Sequence, residues 1–132
     1  MSKRVCAIII KNNKILLMRR IRRGQEYFVF PGGGVERGES IKDAMVREVK
    51  EELSLSAKLN KSFFQIENQG QQEFYFLIKN FSGILKLGGE EKERMNKNNQ
   101  YYPIWIDLNK ILKLSNLYPI EARQKVVNLF KK

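Results

Sequence analysis

The chain has 132 residues, 42% hydrophobic and 30% charged, which fits one globular domain over residues 1–132 with a core of its own; its longest N-terminal apolar run, residues 5–10, is too short for a signal segment or a membrane span, so a soluble cytoplasmic protein without a membrane partner is expected. It has no histidine and a single cysteine, which excludes His-based metal sites, a Ser-His-Asp triad, a Cys/His nucleophile pair and an intrachain disulfide, and leaves oxygen ligands for any metal, as suits Mg²⁺, Mn²⁺ or Ca²⁺. The net charge of +11, from 25 basic and 14 acidic residues, attracts anions such as nucleotides, RNA or acidic surfaces without choosing among them, and solubility alone is the plain alternative.

Residues 5–11 and 14–21 are β-rich runs around Asn12-Asn13 and predict a hairpin. Cys6 lies inside the first run, where a buried inert thiol is expected. Residues 27–30 read as a short third strand ended by Pro31, and Gly32-Gly33-Gly34 as a loop. Residues 40–53 predict a helix, with Ser40 as N-cap and Val46, Val49 and Leu53 toward the core. Residues 61–68 and 72–81 read as strands, the second rich in aromatics. The polar stretch 87–100 reads as a loop. Residues 101–106 are strand-like, and Asp107 is placed to cap a short helix through Leu112. Pro119 suits the first turn of a terminal helix over 120–130, with Ile120, Val127 and Phe130 on one side. Mixed strands and helices in this order predict an α+β or αβα layered domain.

On the first helix Glu48, Glu51 and Glu52 stand at i, i+3 and i+4, within an arc of roughly 100°. Three carboxylates this close repel one another, which costs helix stability unless a cation sits among them. A solvated acidic patch paired with Lys50 or Arg47 is the bland alternative. The wider spacing weighs against it. The chain reads Gly33-x5-Glu39-x7-Arg47-Glu48-Val49-x-Glu51-Glu52-x-Ser54-Leu55. This resembles the Nudix box, G-x5-E-x7-R-E-U-x-E-E-x-G-U with U a bulky aliphatic residue, at eight of its nine specified positions. Phe30-Pro31-Gly32-Gly33 and Tyr102-Pro103-x-Trp105 are also similar to Nudix sequences.

The resemblance implies a small MutT-like member with a Nudix-type αβα sandwich around a central mixed β-sheet. It implies that Glu48, Glu51 and Glu52 bind Mg²⁺, with Mn²⁺ as a substitute, and that the Gly32 carbonyl adds a backbone ligand. It makes Glu39 and Arg47 a structural ion pair. It leaves open which glutamate accepts the proton of the attacking water, and it suggests a further acidic residue from a later loop. Among Glu90, Glu91 and Glu93 we favour Glu91, against the alternative of a solvated charged loop. The departure is Ser54 where the box has glycine. A serine in the left-handed conformation costs about 1 kcal/mol, unless the helix ends differently.

Arg19, Arg20, Arg22 and Arg23 cluster before the box. Guanidinium groups match phosphate oxygens, and Arg19 and Arg20 are the candidates, of which strand alternation brings at most one to the site. A solvated basic edge is the alternative. Phe28, Phe74, Phe76 and Tyr101 could stack on a base but fit a core equally well. The expected activity is Mg²⁺-dependent hydrolysis of a phosphoanhydride bond in a nucleoside diphosphate derivative, with a nucleoside triphosphate favoured. RNA 5′-pyrophosphohydrolysis, a sugar-nucleotide or dinucleoside polyphosphate substrate, and an inactive nucleotide- or RNA-binding role are the alternatives. A homodimer is compatible with all of them.

Overall fold

The computed structural model describes residues 2–88 and 95–130. In chain order it contains β1 (Ser2–Lys11), β2 (Lys14–Arg22), β3 (Gln25–Val29), β4 (Gly32–Gly34), α1 (Ile41–Leu53), β5 (Ser56–Lys58), β6 (Phe64–Asn68), β7 (Gln71–Ile78), β8 (Asn80–Ser82), β9 (Asn99–Asp107), α2 (Leu108–Ile111), β10 (Leu117–Tyr118) and α3 (Ile120–Phe130). Asn12 and Asn13 both have positive φ, 53° and 61°, which a two-residue turn matched to strand twist requires. Arg23-Gly24 and Gln69-Gly70 turn the β2–β3 and β6–β7 hairpins with the same signs of φ.

The main sheet is mixed: β1 runs parallel to β7 and β3 to β10, while the other pairs are antiparallel. Its centre is split. β1 and β2 pair only next to their turn, at Ile9↔Leu16, Ile10↔Ile15 and Lys11↔Lys14. Farther along they part, and each takes a new neighbour in the gap: β4 beside the start of β1, β3 beside the end of β2. The opening between these two half-sheets is where the cleft described below lies.

Each face of the sheet buries an apolar layer. On one side Val5, Ala7, Ile9, Leu16, Met18, Phe76 and Ile78 pack with Ala44, Met45, Val49 and Leu53 of α1. On the other, Ile8, Ile15, Leu17, Phe28 and Tyr75 pack with Leu108, Ile111, Ala122 and Val126 of α2 and α3. Helices thus cover both faces of a mixed sheet, the αβα arrangement expected.

Several expectations need correction. Gly32–Gly34 is a strand rather than a loop, because without side chains its backbone can lie directly on β1; a Cβ on Gly32 would stand 2.0 Å from the Val5 carbonyl oxygen. Val46 is exposed, and Met45 and Ala44 take the core side of α1. Ile120 is likewise exposed, and α3 buries Ala122 and Val126 instead, with Val127 and Phe130 packed at the margin. Residues 61–63 precede the strand rather than belonging to it. The aromatic run breaks at Lys79, and its last part, β8, pairs with β5, a strand too short to show a period.

Candidate functional site

Local chemistry sets the start of α1. The Ser40 hydroxyl accepts from the Asp43 backbone N–H at 3.0 Å, satisfying one of the free donors of the first turn. One turn in, Arg47 gathers the preceding loop onto the helix. Its Nε and Nη2 donate to the two oxygens of Glu39 at 2.7 and 2.9 Å, and Nη2 also reaches the Gly34 carbonyl at 3.0 Å. This forked pair holds the Glu39 carboxyl down to about 2.

The third nitrogen of Arg47 faces the acidic trio. Nη1 lies 2.9 Å from Glu48 Oε1 and 3.2 Å from Glu51 Oε2. Among the described residues no three acidic side chains converge as a ready cation cage; the charge between Glu48 and Glu51 here is that of Arg47. Glu48 is pressed against Gly33, and its burial pushes the carboxyl above its ordinary range. Glu52 is buried at 6% exposure and accepts from the Tyr101 hydroxyl at 3.3 Å.

These groups line a cleft of about 1050 Å³, together with Gly32, Gly33, Arg20 and Tyr101. Arg20 is flanked in register by Tyr27 on β3 and Tyr101 on β9. Its guanidinium lies over both rings, 5.8 and 5.0 Å from their centroids, and donates to Asn99 Oδ1 at 3.3 Å. Its Nε is buried without a partner among the described residues. Arg19 points elsewhere: it pairs with Glu26 at 2.6 Å and with the Tyr102 hydroxyl, and does not line the cleft among the described residues. Glu91, with Glu90 and Glu93, lies outside the described residues. The chain leading to it is anchored on α1, where Lys86 and Gly88 donate to the carbonyls of Leu53 and Glu52, each at 2.9 Å. Phe28 and Phe76 are core residues, and Phe74 packs against the core.

The site also has members that the sequence reading passed over. Arg4 and Glu73 line the cleft, and Glu73 is 5% exposed. The one available signal was an acid two residues before Tyr75 on an aromatic strand, since strand alternation puts both on one face. Among the described residues lining the cleft, five carboxylates (Glu36, Glu48, Glu51, Glu52, Glu73) face three guanidiniums (Arg4, Arg20, Arg47). The cleft is thus acid-rich within a chain of net charge +11.

A family model described as NUDIX domain matches residues 1–126. An ADP-ribose pyrophosphatase of Methanocaldococcus jannaschii is 34% identical over 84% of the chain. The chain spans 64% of that relative's length, and 43% and 30% of two others. An RNA pyrophosphohydrolase of Orientia tsutsugamushi is 26% identical over 93% of the chain and 84% of its own length. A MutT structure from work on Aliivibrio salmonicida and Vibrio cholerae superposes with a TM-score of 0.75 over 98% of both chains, at 22% identity.

Proposed function

The chain belongs to the Nudix family of hydrolases, and from that premise we propose that it cleaves a phosphoanhydride bond in a nucleoside diphosphate derivative, using Mg²⁺ held by Glu48, Glu51 and Glu52. The favoured substrate is a nucleoside triphosphate, which water splits into a monophosphate and pyrophosphate. The observation that carries this reading is the carboxylate trio at the wall of an acid-rich cleft inside a basic protein. The overall charge draws polyphosphates in, yet bare carboxylates would repel them, and a divalent cation reconciles the two. The all-oxygen donor set, completed by the Gly32 carbonyl, fits Mg²⁺ or Mn²⁺.

When bound, such an ion neutralises phosphate charge and makes water a better nucleophile. The chain's own residues supply the rest. Arg47 can release Glu48 and Glu51 through Nη1 while Nε and Nη2 stay on Glu39, so the loop keeps its place. Arg20, whose guanidinium lies over two tyrosine rings at the cleft, is the group that would bind phosphate oxygens. Glu52, hydrogen-bonded by Tyr101, and Glu91 are the two glutamates we favour to accept the proton of the attacking water. Among the described residues no helix is long and apolar enough to cross a membrane.

A panel of nucleoside triphosphates, sugar nucleotides and 5′-triphosphate RNA, with and without Mg²⁺ and with products identified by mass, tests the reading. Expected is Mg²⁺-dependent release of pyrophosphate from a nucleoside triphosphate, lost by several powers of ten in Glu52→Gln at unchanged melting temperature. Near-normal turnover in that variant, or turnover indifferent to the metal, overturns it.

The net charge of +11 favours a second reading, removal of pyrophosphate from RNA 5′ ends. RNA contacts release counterions, so affinity would fall steeply with salt. A preference for 5′-triphosphate RNA that vanishes between 50 and 200 mM salt, in the manner expected of several phosphate contacts, would establish that reading over the first.

A further inference from the structure

The hydrolytic reading leaves one buried charge in the cleft without a task. Glu73 on β7 is 5% exposed and shares the cleft with Glu48 and Glu52. Burying a carboxylate is costly unless hydrogen bonds and opposite charge replace water. Here Tyr75 Oη donates to Oε1 at 2.8 Å and Asn68 Nδ2 to Oε2 at 3.2 Å. Arg4 Nε stands at 3.9 Å, on a side chain that is 36% exposed. A carboxylate has about four acceptor positions, two per oxygen. Each oxygen of Glu73 therefore keeps one after its short bond is counted.

The strand register places this acid relative to the trio. Glu73 pairs with Arg4 on β1, and Arg4 pairs with Gly34 on β4. Two strand spacings, roughly 10 Å, separate the Glu73 strand from the glycine strand; Glu73 shares the α2/α3 side of the sheet with Tyr75, whereas Glu48 reaches Gly33 from the α1 side, and the one cleft is lined by both. A nucleotide with its phosphates at the trio would bring its base to Glu73 by passing from one side of the sheet to the other along this cleft. The lining is not all charged. Asn68 is hydrogen-bonded to Glu73, Gln69 and Gln71 of the same hairpin also line the cleft, and Phe30 and Tyr118 are among its other lining residues. A carboxylate here accepts from N–H groups, and Arg4 beside it offsets part of its charge.

We infer that Glu73 reads the nucleobase, its two oxygens accepting the adjacent N1–H and 2-amino donors of a guanine-type edge. Two parallel N–H donors match a carboxylate as a guanidinium does. Adenine and cytosine each set one amino group beside a ring nitrogen that is itself an acceptor, and uracil flanks its single N–H with two carbonyls. Such mismatches leave an acceptor facing an acceptor in a buried site, which discriminates strongly. The inference rests on the proposed function only in placing a nucleotide in this cleft.

Nucleoside monophosphates have no anhydride bond, so their binding can be read in the presence of Mg²⁺ without turnover. Calorimetric titration of the whole chain with GMP, IMP, AMP, CMP and UMP is the test. GMP is expected to bind about tenfold or more tightly than each of the others, and Glu73→Gln to abolish that preference. IMP lacks only the 2-amino group, so the comparison of GMP with IMP on the unaltered chain stands even where the variant fails to fold. Equal affinities for GMP and IMP, a GMP preference that survives Glu73→Gln, or no binding of any monophosphate overturns the inference. The hydrolytic reading fails separately: a guanine preference without Mg²⁺-dependent pyrophosphate release would sink that reading and leave this one standing.

Discussion

A Cβ added to Gly33 would stand 2.4 Å from the carboxyl carbon of Glu48 and 2.5 Å from both of its oxygens. The glycine is therefore the seat of one carboxylate of the trio. Its neighbour Gly32 is tight for another reason, since its Cβ would meet the backbone oxygen of Val5 at 2.0 Å. Gly33→Ala is expected to displace a flexible side-chain end: melting stays near that of the unaltered chain, while kcat/KM drops about a hundredfold, the scale of a small misplacement at a reacting centre. Gly32→Ala must move a strand and is expected to destabilise by about 3 kcal/mol. Urea unfolding with turnover assays on both variants checks this. Equal losses of stability would refute the distinction.

The Arg47 fork predicts acid sensitivity. Glu39 titrates at about 2 in the folded chain, against about 4.3 for an ordinary glutamate. A depressed carboxyl favours the folded state above the unfolded value, and this contribution fades as pH falls through the folded one. The stability difference between the unaltered chain and Glu39→Gln should thus be present at pH 7, shrink from about pH 5 downward, and be nearly gone close to pH 2. Denaturant titrations at several pH values measure it. A difference independent of pH would show that the ion pair is not its source.

The trio was legible before any fold because its spacing is local: three residues on one helix turn share a side whatever the helix packs against. Other features depended on remote partners. Alternation said that Arg19 and Arg20 diverge, but only Tyr27 and Tyr101, arriving from β3 and β9, distinguish Arg20 as the one over the cleft. Gly32–Gly34 resembled a loop because glycine carries no strand preference, and its pairing with β1 is non-local. Glu73 was obscured by its polar neighbours Gln71 and Gln72, and its inward direction depends on Arg4 and Asn68. Val46 was misplaced because a stripe through Val49 and Leu53 can be extended along either side of the helix; Met45 takes the buried side.

Cys6 is buried, and burial first, then the charge of Glu73, pushes its thiol up to about 12. The thiolate is the reactive form, so a thiol reagent at pH 8 should leave the folded chain unlabelled and modify it fully in denaturant. The same shift sets a stability slope. Above the unfolded cysteine value of about 8.5 the unfolded chain loses the proton that the folded chain keeps, so this contribution to stability falls as pH rises toward 12. Rapid labelling under native conditions would show the thiol to be accessible and remove both expectations.

Ser54 occupies the left-handed region after α1, with φ 62° and ψ 27°. Its N–H closes the helix onto the Lys50 carbonyl at 3.0 Å, the bond that usually accompanies a glycine there. Serine bears a conformational cost of about 1 kcal/mol in this position. Its hydroxyl offsets part of that by donating to the Lys86 carbonyl at 3.1 Å, a solvent-exposed bond worth about 0.5 kcal/mol. Ser54→Gly is therefore expected to stabilise the chain by about 0.5 kcal/mol, a rise in Tm of about 2 °C. Turnover should stay unchanged, since Ser54 does not line the cleft among the described residues. A fall in Tm would mean that the bond to Lys86, which ties residues 83–88 to the end of the helix, outweighs the strain it accompanies.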